Sequence, residues 1–259
     1  MTENNKFQEF YFKTEDRLLP LQVIVDYTKY RDKSFTYYRG EMYCGECREA
    51  KLNFTQRNSG NSSYLNAYDN NSHDPNCTLK YDDATKKEFI GVYKEMKDSK
   101  KIESFLHSIL VQEIKKHIDS KNNEKSTLSP STLATNPYII KTKTNSGTRT
   151  KRLPRKLLTN EFNQQRDSDS IYVFYGKVRL EVKTKISKKD FTYHILFIKV
   201  KKDEKWINRA TVYRHNKLDI VDPEKEYHLV VLGSLDSKYK GQINLLKKDQ
   251  SVLEYIEAN

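Results

Sequence analysis

The chain has little of most features that would classify it at once. Cysteine occurs only three times in 259 residues, an odd number and too few for a disulfide framework. All three sit in metal-ligand spacing, which points to a reducing compartment and a cytoplasmic location. No apolar run approaches the roughly 20 residues needed to span a bilayer, and Met1 to Lys6 is polar, unlike a secretory leader. Hydrophobic residues make up only 36% of the chain, so its cores are small and a metal staple would help to hold them. There is no Gly-rich phosphate loop, no G-x-S-x-G turn, and no cysteine left over for nucleophilic work. These absences argue against a disulfide-stapled secreted module, a membrane span and the commonest enzyme motifs. Neither a membrane nor a small-molecule cofactor is expected as a partner.

What is abundant is positive charge. Formal net charge is +12 and 32% of residues are charged, with a pI of about 9.3. An excess of this size favours a polyanion, nucleic acid first and an anionic membrane surface second. Tyrosine occurs 18 times and phenylalanine 11 times against one tryptophan, and aromatics interleaved with cations suit stacking on exposed bases. A lysine- and tyrosine-rich genome would produce the same bias without function.

The chain is organised around the stretch from Tyr43 to Tyr81. Cys44, Cys47, His73 and Cys77 form a C-x2-C-x25-H-x3-C pattern that uses every cysteine. Three thiolates and an imidazole suit one four-coordinate Zn2+ ion, and four protein ligands leave no position for water, so the zinc is read as structural. Gly45 suits a tight knuckle between the first pair, and Asp74-Pro75-Asn76 suits a turn between the second. The ion would hold a Ser/Asn-rich loop running from Gln56 to Ser63.

In chain order, Leu21 to Val25 and Phe35 to Tyr38 read as short strands feeding the first knuckle. Asp82 or Asp83 would cap a helix through Met96 with Phe89, Val92, Tyr93 and Met96 on one face. Asp98 or Ser99 would start a second helix carrying Ile102, Phe105, Leu106, Ile109, Leu110 and Ile114. This helical hairpin is expected to pack on the zinc module; a groove for another protein is its sharper reading. Residues 120–169 read as a basic flexible linker, with Arg152 and Arg155 among the cations able to lie along phosphates. From residue 170 onward the period becomes two. Tyr172, Phe174, Val178, Leu180 and Val182 share one face of a first strand bent at Gly176, and Tyr175, Lys177, Arg179, Glu181 and Lys183 the other. His194, Leu196, Ile198 and Val200 face in on the second strand, and Ala210 and Val212 on the third. Two further strands follow, Tyr227 to Leu235 and Gly241 to Leu246.

These five runs (YGKVRLEV, HILFIKV, INRATVYR, YHLVVLGSL, GQINLL) together resemble an OB-fold. The resemblance covers about 80 residues and is one of pattern. It implies a partly open five-stranded barrel whose second and third strands bind single strands, with Tyr193, Phe197, Lys199, Arg209 and Tyr213 on that face and Lys177 and Arg179 beside it. The cysteine segment is more loosely similar to the N-terminal zinc module of CoiA-like competence proteins. Those carry an HFxH-like element that this chain lacks, so no activity is carried over.

The expectation is therefore an α+β protein. Residues 1–119 form a zinc-ribbon-like module with a helical hairpin, 120–169 a linker, and 170–259 an OB-like β-barrel. Its function is read as non-enzymatic nucleic-acid binding, single-stranded favoured, in an accessory role. A protein–protein module or inhibitor is the alternative. A divalent-metal nuclease built on Asp167 or Asp169 with Glu181-x-Lys183 is the remaining one.

Overall fold

The computed structural model describes residues 6–30, 35–56, 63–96, 99–121, 136–144 and 147–258. Asp98, the tip of the Gln56 to Ser63 loop and residues 122–135 of the expected linker lie outside them. The protein is of mixed α and β content and divides into two compact units. The first contains residues 1–84 and 114–160, the second residues 85–113 and 161–259.

In the first unit, β1 (Glu9–Phe12), β2 (Arg17–Pro20) and β3 (Met42–Cys44) form an antiparallel sheet in the order β2-β1-β3. Strands β4 (Leu52–Thr55) and β5 (Tyr64–Ala67) form a hairpin, and β6 (Ile139–Thr144) and β7 (Gly147–Arg152) form another, followed by β8 (Arg155–Leu157). Phe10, Phe12, Ile24, Met42, Leu52, Phe54 and Leu65 make the core, and Cys44 and Cys77 belong to the same cluster.

Two expected strands are not strands. Leu21–Tyr30 is helix α1. The β-branched Val23-Ile24-Val25 run suggested extended chain, but Leu21, Ile24 and Thr28 fall at helical spacing and are all buried. Asn160 Oδ1 accepts a hydrogen bond from the Gln22 backbone N–H at 3.1 Å, satisfying a donor of the first turn. Phe35 to Tyr38 is a turn, closed by Tyr38 N–H to Phe35 O at 2.9 Å and followed by Gly40 at φ 84°. Its rings serve the core without a strand: Tyr38 packs edge-on to Phe10 and Phe35 to Phe54. The stretch expected as linker likewise carries strands β6 to β8 within the first unit.

In the second unit, α2 (Lys86–Glu95) begins at Thr85, not at Asp82 or Asp83. The Thr85 hydroxyl accepts from Glu88 N–H and the Glu88 carboxylate accepts from Thr85 N–H, a reciprocal cap. The next helix, α3 (Ser99–Lys121), buries Ile102, Leu106, Ile109 and Leu110. The sequence pattern predicts that this hairpin packs on the cysteine–histidine module. Instead, the division between units places α2 and α3 up to Glu113 with the C-terminal strands. Tyr93 donates to the Asp249 carboxylate, and His107 Nδ1 lies 2.7 Å from Glu254 Oε1.

A short α4 (Gln164–Asp167) precedes β9 (Tyr172–Ile186), β10 (Thr192–Lys202), β11 (Lys205–His215), β12 (Glu226–Leu235), β13 (Gln242–Leu245) and β14 (Leu253–Glu257). The pairings β9–β10, β10–β11, β11–β13, β13–β12 and β12–β9 form a cycle, parallel only between β11 and β13. Strand β9 makes this possible by serving two neighbours: Tyr172 to Arg179 pair with β12 and Arg179 to Ile186 with β10, with Gly176 at φ 154° in the first segment. Inside, Val178, Leu180, Leu196, Ile198, Val200, Ala210 and Val212 are buried as the alternation predicts. Tyr175, expected outward, is buried with Tyr172 to Phe174. His194, expected inward, is partly exposed and sits 3.0 Å from Thr184 Oγ1. Strand β14, which the sequence pattern did not reveal, pairs with Tyr227 to Val231 of β12.

Gly233 marks the tightest approach in this cycle. A Cβ there would lie 2.3 Å from the Asn244 carbonyl oxygen on β13. Gly233→Ala is therefore expected to destabilise the second unit by about 1–3 kcal/mol or more, read as a lower urea midpoint with an unchanged slope.

Candidate functional site

Cys44 ends β3 and Cys47 follows one turn later. Arg48 N–H donates to Cys44 O at 2.9 Å, Cys44 N–H donates to Ala50 O at 2.7 Å, and Arg48 takes the left-handed conformation at φ 58°. The left-handed residue of the knuckle is thus Arg48 rather than Gly45. Gly45 is needed for a different reason: its Cβ would stand 3.2 Å from the Glu9 carbonyl and 3.3 Å from the Leu18 side chain. The second pair is set by Asp74, whose carboxylate accepts from Asn76 N–H at 2.6 Å and whose carbonyl accepts from Cys77 N–H at 2.9 Å.

These two turns bring one ligand atom each from Cys44, Cys47, His73 and Cys77 within 4.8 Å of one another. Cys44 Sγ lies 3.7 Å from Cys77 Sγ, and His73 Nδ1 lies 3.5 Å from Cys47 Sγ and 3.3 Å from Cys77 Sγ. Tetrahedral bonds of about 2.3 Å to sulfur and about 2.0–2.1 Å to nitrogen put S···S near ~3.8 Å and N···S near ~3.6 Å. The observed spacings fit, so the group can hold a metal ion. The Glu46 N–H approaches Cys44 Sγ at 3.4 Å, and the Phe7 ring stacks on His73 at 5.9 Å. Hydrogen bonds from Cys44 and Cys77 hold the Cys47 thiol far below its usual range, whereas burial pushes Cys44 up.

A buried charge network ties the two ligand turns together. Glu46, between the first two cysteines, accepts from the Thr78 hydroxyl at 2.6 Å and from Thr78 N–H, next to Cys77. Arg155 reaches the same carboxylate at 2.9 Å and lies 4.4 Å over the Tyr138 ring. Burial alone would raise the Glu46 carboxyl; the charge of Arg155 and the bonds from Thr78 bring it below its ordinary value. Arg152 is 1% exposed and pairs with Asp83 at 2.6 Å. Arg152 and Arg155, expected as phosphate contacts on a flexible arm, are thus interior ion-pair partners. Their acidic partners lie in the segment from Glu46 to Asp83, too far away in the chain for the basic run to reveal them.

In the second unit, cross-strand pairing sets several of the other expected binding residues at neighbouring positions. Cross-strand pairing places Phe197 between Glu181 and Thr211, Ile195 between Lys183 and Tyr213, and Lys199 opposite Arg179. A bulge between His194 and Ile195 shifts the register there. Tyr193 and Tyr213 are in ring contact at 5.3 Å, with Phe191 at 5.9 Å on one side and His215 at 4.4 Å on the other. Lys183 Nζ lies 4.7 Å over the Phe197 ring. Carboxylates answer several cations: Lys199 meets Glu181 at 2.6 Å, Lys177 meets Glu226 at 2.6 Å, and Arg179 meets Glu224 at 3.0 Å. Arg179 also lies 4.8 Å over the Trp206 ring, and Arg209 lies 5.9 Å over Phe162. Sequence reading left out Phe191 and Trp206 and placed Lys183 only on the outward side of the first strand; the register sets it beside Ile195.

Two of the residues named for a nuclease skeleton are engaged with other partners. Asp167 is fully buried and accepts from Asn163 N–H at 3.0 Å, while Glu181 is held by Lys199 and Lys183. Among the described residues, the cysteine–histidine group is the one set of three or more His, Cys, Asp or Glu side chains close enough to share an ion. No described helix is long and apolar enough to cross a membrane. Comparison with protein-family models, curated proteins and solved structures gives no match.

Proposed function

We propose that this protein binds single-stranded nucleic acid across the outer face of β9, β10 and β11, and that its cysteine–histidine centre holds a structural zinc ion. The observation that carries the first part is the row of partly exposed rings, Phe191, Tyr193, Tyr213 and His215, running across two strands beside Phe197 and Lys183. Such a row offers successive stacking surfaces to unpaired bases. Lys183 and Lys177 are about half exposed at 50% and 49%. Exposed ion pairs like those of this face are worth about 0–1 kcal/mol, so phosphates can displace the carboxylates. The strand cycle supports reading the unit as an OB-like barrel, with β14 added outside the five-stranded plan. Three thiols and one imidazole at tetrahedral spacing favour zinc among the biological cations.

The test is fluorescence anisotropy with a labelled single strand and a duplex of the same sequence at two salt concentrations. Tighter binding to the single strand, weakened by salt, is expected. Tyr213→Ala should cost about tenfold, the worth of one stacked base. Equal affinity for the duplex, or a Tyr213→Ala variant that binds as well as the parent, would contradict the assignment. Binding to neither would redirect the search to a protein partner.

A further inference from the structure

A separate row of rings and cations lies on the first unit. Along β1, β2 and β3 successive side chains go to opposite faces. Phe10, Phe12, Leu19, Met42 and Cys44 are buried in the core. Leu18, Tyr11 and Tyr43 take the other face and are directly paired, Leu18 with Tyr11 and Tyr11 with Tyr43. An antiparallel bridge from Tyr43 to Lys51 extends the row, and Tyr68 N–H donates to Lys51 O at 3.1 Å. Leu18, Tyr11, Tyr43, Lys51 and Tyr68 thus stand on five neighbouring stretches of chain, each about 4.8 Å from the next. Two cations reach in from the turns: the Arg48 guanidinium lies 4.7 Å over the Tyr11 ring, and Lys13 Nζ lies 5.7 Å over that of Tyr43.

Positive charge therefore stands at three successive positions, with Arg48 at Tyr11, Lys13 at Tyr43, and Lys51 itself. Lys13 and Lys51 are exposed, and none of the three makes an ion pair among the described residues. Of the nearby carboxylates, Asp16 accepts from the Tyr11 hydroxyl and Glu15 pairs with Arg17, while Glu41 and Glu49 pair with none of the three. Contact with a ring leaves the charge of Arg48 and Lys13 without a counter-ion. A ligand whose negative charge also repeats matches such a run. Polynucleotides and acidic peptides both qualify on charge, and Tyr68 separates them. It is 63% exposed, and neither its ring nor its hydroxyl has a partner among the described residues. The face of an aromatic ring carries partial negative charge, so a carboxylate gains nothing there, whereas a base stacks on it. We propose that this face of the first unit binds a single strand of nucleic acid, with phosphates against Arg48, Lys13 and Lys51 and a base on Tyr68.

This face uses no residue of the second unit, so it and the ring row there can fail independently. The test is photo-crosslinking of the full-length protein to an oligonucleotide carrying bromouracil, with the crosslinked peptides identified by mass spectrometry. Anisotropy against salt follows the affinity in parallel. Crosslinks are expected at Tyr68, and they should persist in Tyr213→Ala. Tyr68→Ala should weaken binding about tenfold, the worth of one stacked base. Lys13→Gln with Lys51→Gln should lower the slope of log affinity against log salt by about 1.4, which is two phosphates at ~0.7 each for a single strand. Circular dichroism equal to the parent's shows the fold intact in each variant. Unlabelled strand should displace the first-unit crosslinks at least tenfold more effectively than polyglutamate, roughly the stacking difference. No crosslink in the first unit, or an unchanged slope in the folded lysine variant, would overturn the proposal. Polyglutamate competing as well as the strand would also overturn it, in favour of an acidic protein partner. First-unit crosslinks with the lysine effect intact, beside a Tyr213→Ala variant that binds as the parent does, would count against the ring row alone.

Discussion

Removing the metal is expected to unfold the first unit. Cys44 and Cys77 lie within its core cluster, and Glu46 and Arg155 are oriented by the turn that carries Cys47. Structural zinc contributes on the order of 10 kcal/mol in small modules, comparable to the ~5–15 kcal/mol that a whole domain has in hand. A strong chelator, or Cys77→Ser, should therefore abolish the near-ultraviolet circular dichroism of the Tyr27, Tyr37, Tyr38, Phe10 and Phe12 ring cluster. Elemental analysis should find one zinc per chain in the parent and none in the variant. A Cys77→Ser protein that keeps both its metal and its ring signal would show that the four residues are not a ligand set.

The second large effect concerns a pair that sequence reading missed. Arg214 at the end of β11 and Asp219 in the following loop are both buried. Nε to Oδ2 is 2.7 Å and Nη2 to Oδ1 is 2.9 Å, and Nη1 also reaches the Gln250 carbonyl at 3.3 Å. Asp219→Ala would leave a guanidinium in the interior with its main partner gone, at a cost of about 3–5 kcal/mol. Replacing both, as Arg214→Met with Asp219→Leu, removes the stranded charge and should restore most of that stability. Urea unfolding of the parent and the two variants decides it: equal losses in the single and double variants would mean that the pair acts through shape and not charge.

What could be read in advance followed from short-range rules. The metal ligands stood out because a C-x2-C and an H-x3-C can each present two donors from one turn. The buried residues of β10 and β11 from Leu196 onward stood out because burial on one side of a strand imposes period two, while His194 lies beyond a bulge and escapes the pattern. Failure came where distant partners decide. Val23-Ile24-Val25 had the composition of a strand, but the buried spacing of Leu21, Ile24 and Thr28 made α1 a helix. Arg152 and Arg155 looked like a solvated arm because Asp83 and Glu46, which neutralise them, come from another part of the chain. Likewise Tyr93 and His107 find Asp249 and Glu254 near the C-terminus, and α2 and α3 up to Glu113 group with the C-terminal strands.

The most direct measurement of the central claim is the response of the tyrosine ring protons to an unlabelled oligonucleotide. Stacked bases should shift the resonances of Tyr193 and Tyr213 upfield, with the shifts lost on raising salt, while those of Tyr27 and Tyr38 in the first unit stay in place. Shifts confined to other tyrosines, or none at strand concentrations that saturate binding, would contradict a stacking face on β10 and β11.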